Sequence, residues 1–135
     1  MERVRAWAAA WRLPGGSADR MVEEIYADAP EVIAMLQGKQ VVTSGGSKAA
    51  WKDMERRIEQ DYASREVIFD AFCPCEDTVA VEARVVMLSK DGESRSWPFA
   101  VFFTFDADGR IVRDHTYMPD TPHRYLLDET AAAAD

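Results

Sequence analysis

Asp114 and His115 are adjacent in a C-terminal segment, residues 110–118, that mixes apolar and ionisable side chains. A carboxylate among apolar side chains has its charged form disfavoured, which raises its pKa toward the range of a general acid or base. Histidine has an unperturbed pKa of about 6.5, which suits proton transfer at neutral pH. Acid/base chemistry is therefore the activity that these residue types indicate.

The register of a predicted β-hairpin decides which of the two residues points inward. Its first arm, residues 97–105, is β-branched or aromatic almost throughout, and Asp-Ala-Asp-Gly at 106–109 forms the turn. An even closure pairs Val101 with Asp114, so Asp114 lies on the apolar face. A bulge at Gly109 shifts the register by one and gives that place to His115 and Tyr117. The residues alone leave both registers open.

Three aromatic residues are further candidates for a binding site. Tyr26 ends a predicted second helix, where its hydroxyl could donate a hydrogen bond into the interior, although a core tyrosine is the alternative. Trp11 and Trp51 belong to apolar stripes at helical spacing, which is typical of core packing. Ligand pockets are also lined mainly by aromatic and apolar side chains, so these tryptophans are expected to wall any pocket.

The composition limits the possible partners. The chain has 135 residues and a formal net charge of −8, and it contains no basic stripe for binding nucleic acid. No apolar run approaches the roughly 20 residues that span a bilayer, so a cytoplasmic protein is expected.

Cys73 and Cys75 are separated by one residue, which disfavours a disulfide, and both are expected to be free thiols.

No motif predicts a cofactor or a metal. The sequence lacks a glycine-rich phosphate loop, a nucleophile elbow and a His/Asp set with ligand spacing. Cofactor-independent chemistry is therefore expected.

The order of predicted elements indicates an α+β fold. Helices are expected at about 2–12, 17–26 and 47–63, with Ser44 or Ser47 capping the third, whose Glu55 is expected to face water. A short strand is expected at 31–36, a loop at 37–46, and longer antiparallel strands at 66–72, 78–88, 94–105 and near the C-terminus. Residues 1–127 are predicted to form one domain, and residues 128–135 a disordered tail.

The sequence resembles the NTF2-like superfamily and, within it, the SnoaL-like proteins. The resemblance rests on residues 25–28, 45–46, 79–82 and 103–112, taken in order. It implies a cone of three helices packed on a strongly curved, mostly antiparallel sheet, with a pocket inside and a homodimer formed through the outer sheet face.

The resemblance also indicates which chemistry is absent. The positions of the ketosteroid isomerase base, oxyanion acid and oxyanion tyrosine are occupied by Ala34, Val101 and Ala10, so that machinery is missing. The same comparison favours the even register, with Asp114 inside.

The resulting hypothesis is a cofactor-independent lyase, isomerase or cyclase that acts on an aromatic or polycyclic hydrophobic substrate. Asp114 and His115 are the expected acid/base residues, and Tyr26 is the hydrogen-bond donor. A non-catalytic binder of hydrophobic ligands, or a protein-interaction module, is the alternative. The expected substrate-binding residues are Trp11, Trp51, Phe99, Val101, Thr116 and Met118.

Overall fold

The computed structural model describes residues 1–42 and 48–122. Its helices are α1 (Glu2–Trp11), α2 (Ala18–Arg20), which continues as a π-helical turn (Met21–Ile25), and α3 (Lys48–Asp61). Its strands are β1 (Tyr26–Leu36), β2 (Lys39–Val42), β3 (Tyr62–Cys75), β4 (Thr78–Ser89), β5 (Ser94–Phe105) and β6 (Ile111–Met118). The predicted domain limit at residue 127, the predicted tail at 128–135 and the predicted caps Ser44 and Ser47 lie outside the described residues.

The six strands form one sheet in the order β2-β1-β6-β5-β4-β3. All neighbouring pairs are antiparallel except β1 and β6, which are parallel. Irregular pairing interrupts β1, β3 and the β5–β6 hairpin, and such bulges bend a strand and increase its twist. The architecture confirms the predicted α+β fold, with the helices on one side of a mostly antiparallel sheet.

Strict alternation in β4 and β5 builds the sheet's inner face. Odd-numbered residues from Val79 to Met87 and from Arg95 to Phe103 are buried, whereas most even-numbered neighbours are exposed. The apolar stripe of α1 packs on this face through Val4, Trp7 and Trp11, as its spacing predicts. The core therefore lies between the inner face of the sheet and the helices.

The β5–β6 hairpin corrects the predicted register while keeping the predicted face. Asp114 pairs with Phe103 rather than with Val101. An even closure would pair Phe105 with Arg110, whereas Phe105 pairs with Ile111, a shift of one residue. A bulge between Thr104 and Phe105 shifts the pairing of the rest of the hairpin by one more residue. Because the two slips add to two residues, Asp114 still points inward, and the alternative that places His115 inside is wrong.

Three further expectations need correction. The predicted second helix ends at Ile25, so Tyr26 is the first residue of β1, which is longer than the predicted strand. The predicted loop at 37–46 contains β2, which pairs with β1. Glu55 does not face water: only 2% of its surface is exposed, because it lies on the stripe of α3 that includes Trp51 and Ile58.

No helix in residues 1–42 and 48–122 is long and apolar enough to cross a membrane.

Candidate functional site: a buried carboxylate in an aromatic cavity

Asp114 is the centre of a buried hydrogen-bonded group. The Tyr26 hydroxyl donates to Asp114 Oδ2 at 2.5 Å, and the Thr116 hydroxyl donates to Asp114 Oδ1 at 2.6 Å. Asp114 is 5% exposed and Tyr26 is 1% exposed. Each carboxylate oxygen thus accepts one hydrogen bond from a neutral hydroxyl group.

The strands fix the three side chains of this group. Asp114 and Thr116 are two residues apart on β6, so both side chains lie on the same face of the sheet. Tyr26 lies at the start of the parallel neighbour β1, where its backbone carbonyl accepts hydrogen bonds from Lys48 Nζ at 3.2 Å and Arg110 Nη2 at 2.6 Å. Two cationic side chains therefore anchor the backbone that carries the phenol.

A cavity of about 110 Å³ lies over this group. All four tryptophans of the chain line it, and the only ionisable carboxyl groups among its described lining residues are Asp114 and Glu55. No lysine, arginine or histidine is among those lining residues. The residues that line the cavity are Trp7, Trp11, Met21, Tyr26, Val32, Ile33, Ala34, Leu36, Trp51, Met54, Glu55, Val85, Trp97, Phe99, Asp114, Thr116, Met118, Thr121 and Pro122.

The surroundings shift the proton affinities of both central groups. Burial raises the pKa of the Asp114 carboxyl above its ordinary value, and the hydrogen bonds from Thr116 and Tyr26 offset part of that rise. Burial also raises the pKa of the Tyr26 phenol well above its ordinary value, and the neighbouring Asp114 carboxylate adds to the effect. Tyr26 is therefore a hydrogen-bond donor at neutral pH, and Asp114 is the group that can exchange a proton.

Glu55, the second carboxylate that lines the cavity, forms a buried ion pair with Arg65. Arg65, which is 0% exposed, lies with Nη1 at 3.4 Å from Glu55 Oε2. Its Nε donates to the Trp11 carbonyl at 2.7 Å, and its guanidinium lies 3.9 Å from the Trp11 ring centroid. Sequence reasoning missed Glu55, although its position four residues after Trp51 on the apolar stripe of α3 was a usable signal.

Arg95 forms a second buried network beside the cavity. Its guanidinium donates to the Tyr62 hydroxyl at 2.6 Å and to the Thr121 carbonyl at 2.7 Å, and it pairs with Asp120 at 2.6 Å. It lies 4.9 Å from the ring centroid of Trp97. Sequence reasoning missed this residue too, although it continues the odd-numbered inward series of β5.

The comparisons with known proteins identify the fold. The sequence matches no protein-family model and no curated protein. Among solved structures, a protein from Catenulispora acidiphila DSM 44928 with a ketosteroid isomerase-like fold, solved in complex with trimethylamine, aligns with a TM-score of 0.70 at 18% identity over 93% of this chain and 91% of that one. An LEH-like epoxide hydrolase from M. tuberculosis aligns with a TM-score of 0.66 at 16% identity over 98% and 92% of the two chains. An NTF2-like protein of unknown function from Exiguobacterium sp. 255-15 aligns with a TM-score of 0.62 at 22% identity over 89% and 98%.

The chain has the NTF2-like fold. The sequence resemblance predicted this fold, and the structural neighbours confirm it. Identities of this size establish the fold alone, and the fold hosts many unrelated functions. The chemistry of this protein must therefore be inferred from the residues that line the cavity.

Most of the side chains predicted to bind substrate surround the cavity of this NTF2-like fold. Trp11, Trp51, Phe99, Thr116 and Met118 line it together with Asp114 and Tyr26. Val101 is not among the lining residues and packs in the core. It pairs with Thr116 on the neighbouring strand.

His115 lies on the opposite face of the sheet. Its Nε2 is 2.8 Å from Glu31 Oε2, and its side chain is 31% exposed. It does not line the cavity, so the structure separates it from Asp114 and Tyr26 rather than joining them.

No group of three or more His, Cys, Asp or Glu side chains within the described ranges is arranged to hold a metal ion. Cys73 and Cys75 are free and exposed, as their spacing predicts.

Proposed function

We propose that this protein is a cofactor-independent enzyme that transfers a proton to or from a small hydrophobic substrate, in a lyase, isomerase or cyclase reaction. Asp114 acts as the general acid or base, and Tyr26 donates a hydrogen bond. The observation that carries the proposal is a buried carboxyl group that lines an apolar cavity and has a raised pKa. His115 has no role in it, since its side chain lies on the outer face.

The cavity restricts the size of the substrate. A cavity of about 150 Å³ lined by apolar side chains accepts benzene in another protein. The volume of about 110 Å³ here suits a molecule of one ring or less, and a polycyclic molecule would require the cavity to expand. The proposal is therefore for a small compound, aromatic or aliphatic, rather than for a polycyclic one.

Hydrogen exchange at carbon tests the proposal without knowledge of the natural substrate. A panel of small ketones and phenyl ketones is incubated with the protein in D₂O, and the loss of acidic C–H signals is followed by proton NMR. We expect at least one compound to exchange faster with the protein, and Asp114→Asn to slow that exchange by about 10²-fold, the scale of a general acid/base group. The matched control, Glu31→Gln, removes a carboxylate from the outer face and should leave the rate unchanged.

A non-catalytic ligand-binding protein is the second candidate. It is favoured by the hydrogen bonds that hold Asp114: each of its two oxygens already accepts one, and the carboxylate has further lone pairs with which to orient a ligand without moving a proton. Binding of panel compounds without any acceleration of exchange would support this candidate against the enzyme.

A further inference from the structure

Of three carboxylates in or beside the cavity, two are paired with an arginine and one is not. Glu55 is paired with Arg65, and Asp120 is paired with Arg95. Asp114 forms no ion pair with a lysine, arginine or histidine in the part of the chain that the structure describes, and only neutral hydroxyl groups donate to it. When Asp114 is ionised, the cavity therefore carries a negative charge that no lysine, arginine or histidine of residues 1–42 and 48–122 contacts in an ion pair.

The wall of the cavity is of the kind that stabilises cations. Four indole rings, the Tyr26 phenol and the Phe99 ring line it. The negative faces of aromatic rings attract cations, and indole does so most strongly. Two of these indoles already carry a guanidinium group on one face: Arg65 lies over Trp11 and Arg95 lies over Trp97.

The cavity is also lined almost entirely by apolar atoms, which a strongly hydrated ion would not tolerate. A bare ammonium or a metal ion would lose its water shell, and among the described lining residues only two carboxyl groups, two threonine hydroxyls and one phenol could replace it. An alkylated ammonium group is different, because its methyl groups pack against apolar surface while its charge is spread over them. Aromatic walls with a carboxylate are a known means of recognising such cations.

From these observations we infer that the natural ligand is a small alkylammonium compound, whose cationic nitrogen lies against the aromatic wall and pairs with the carboxylate of Asp114. This inference rests on the proposed function in taking the same cavity and the same Asp114, and it names the class of substrate. The volume of the cavity limits the group to about the size of a trimethylammonium or a small cyclic amine.

A matched pair of probes tests the charge directly. Tetramethylammonium chloride and tert-butanol are similar in size and differ in charge, and their binding to the full chain is measured by isothermal titration calorimetry, with sodium chloride as the salt control. We expect the cation to bind about tenfold more tightly than the alcohol, a difference of about 1.4 kcal/mol, which lies between the values for exposed and desolvated cation–π contacts. Equal affinities, or tighter binding of the alcohol, would overturn the inference without any variant being made.

Two variants then locate the charge. Asp114→Asn should weaken tetramethylammonium binding by about tenfold and change tert-butanol binding by less than about twofold, since only the cation pairs with the carboxylate. Glu31→Gln, on the outer face, should change neither. Cation binding that is the same in Asp114→Asn and in the unaltered protein would contradict the assignment of Asp114.

The two proposals fail in different ways. If deuterium exchange depends on Asp114 but the cation binds no better than the alcohol, the proposed enzyme stands and the ligand class is wrong. If the cation binds through Asp114 but no panel compound exchanges, the ligand class stands and the protein is a binder.

Discussion

Tyr26 and Asp114 are 88 residues apart in the sequence, yet the phenol oxygen of one lies 2.5 Å from a carboxylate oxygen of the other. The parallel pairing of β1 with β6 brings them together, because it places the first residue of β1 beside Ile111. Parallel pairing requires a long connection, and in this chain the connection is nearly the whole fold. The contact therefore depends on the complete sheet rather than on any local motif.

The Tyr26 hydroxyl should tune the proton affinity of Asp114. Tyr26→Phe removes a donor to the carboxylate, and that hydrogen bond lowers the Asp114 pKa, so the pKa should rise in the variant. We expect the midpoint of the pH–rate profile to move upward by about one unit, since a hydrogen bond to a charged group contributes about 1.5 kcal/mol. Rates of deuterium exchange measured across the pH range report this midpoint. Tyr117→Phe, on the outer face, should leave it in place, and a midpoint that is equal in both variants would contradict the prediction.

Asp114 should also make the folded state less stable as the pH rises. Its folded-state pKa is raised, so the native protein holds a proton that the unfolded chain releases at about pH 3.9. The contribution of Asp114 to stability is full below that unfolded value and is lost as the pH rises through the folded-state pKa. Asp114→Asn removes this loss. We therefore expect the free energy of unfolding of the variant, minus that of the unaltered protein, to increase from acid to neutral pH.

Urea denaturation of both proteins over the same pH series measures this difference. Exposed carboxylates whose pKa is lowered by cations, such as Asp19 and Glu23, give the opposite trend. They are common to both proteins, so their effect cancels in the difference. A difference that is independent of pH would mean that Asp114 is not perturbed.

Alternation along strands made the interior of this fold largely predictable. The apolar residues of β5 lie inward on odd numbers as predicted, and Asp114 lies on the predicted face. The partner of Asp114 could not be predicted, because the turn at Gly109 and the bulge after Thr104 each shift the register by one residue. Each shift alone would turn the side chains of β6 to the other face, but together they amount to two residues and keep Asp114 on the inner face. A pattern that repeats every two residues does not distinguish this register from the even closure.

The buried charged residues were harder to predict from the sequence than the apolar core. Glu55 and Arg65 are buried together, and each charge compensates the other. A pattern that places charged residues in water does not predict the burial of either one. The two residues are ten positions apart, on α3 and on β3, so no local spacing pairs them. Tyr26 illustrates a second limit: its contact with Asp114 depends on a strand pairing that no local pattern predicts.

The Glu55–Arg65 pair should be strongly sensitive to loss of one partner. Glu55→Leu leaves the Arg65 guanidinium buried without its carboxylate, and such variants lose about 3–5 kcal/mol of stability. The double variant Glu55→Leu, Arg65→Met removes both charges and should recover most of that loss. Urea denaturation midpoints of the single and double variants measure the effect. Asp53→Leu, at an exposed position of the same helix, should cost less than about 0.5 kcal/mol. A double variant no more stable than Glu55→Leu would contradict the prediction.

The outer face of the sheet should form a homodimer, as the sequence predicts. Among the residues whose burial the structure describes, five large apolar side chains on this face are more than a third exposed, and Phe102 and Tyr117 lie edge to face with their ring centroids 6.1 Å apart. Exposed apolar side chains on a sheet face are covered when a two-fold axis places the same face of a second copy on them. The five residues are Ile68, Val86, Leu88, Phe102 and Tyr117.

Light scattering at micromolar concentration should therefore give twice the chain mass of 15.2 kDa. Phe102→Glu places a charge on this outer face, where burial without a partner is unfavourable, and should shift the mass to that of one chain. Lys90→Glu, which also changes a charge but lies in the exposed turn between β4 and β5, should leave the dimer intact. Because Phe102 lies on the face opposite Asp114, the monomeric variant should still bind cavity ligands. A single-chain mass for the unaltered protein would leave the outer face without this partner and refute the dimer.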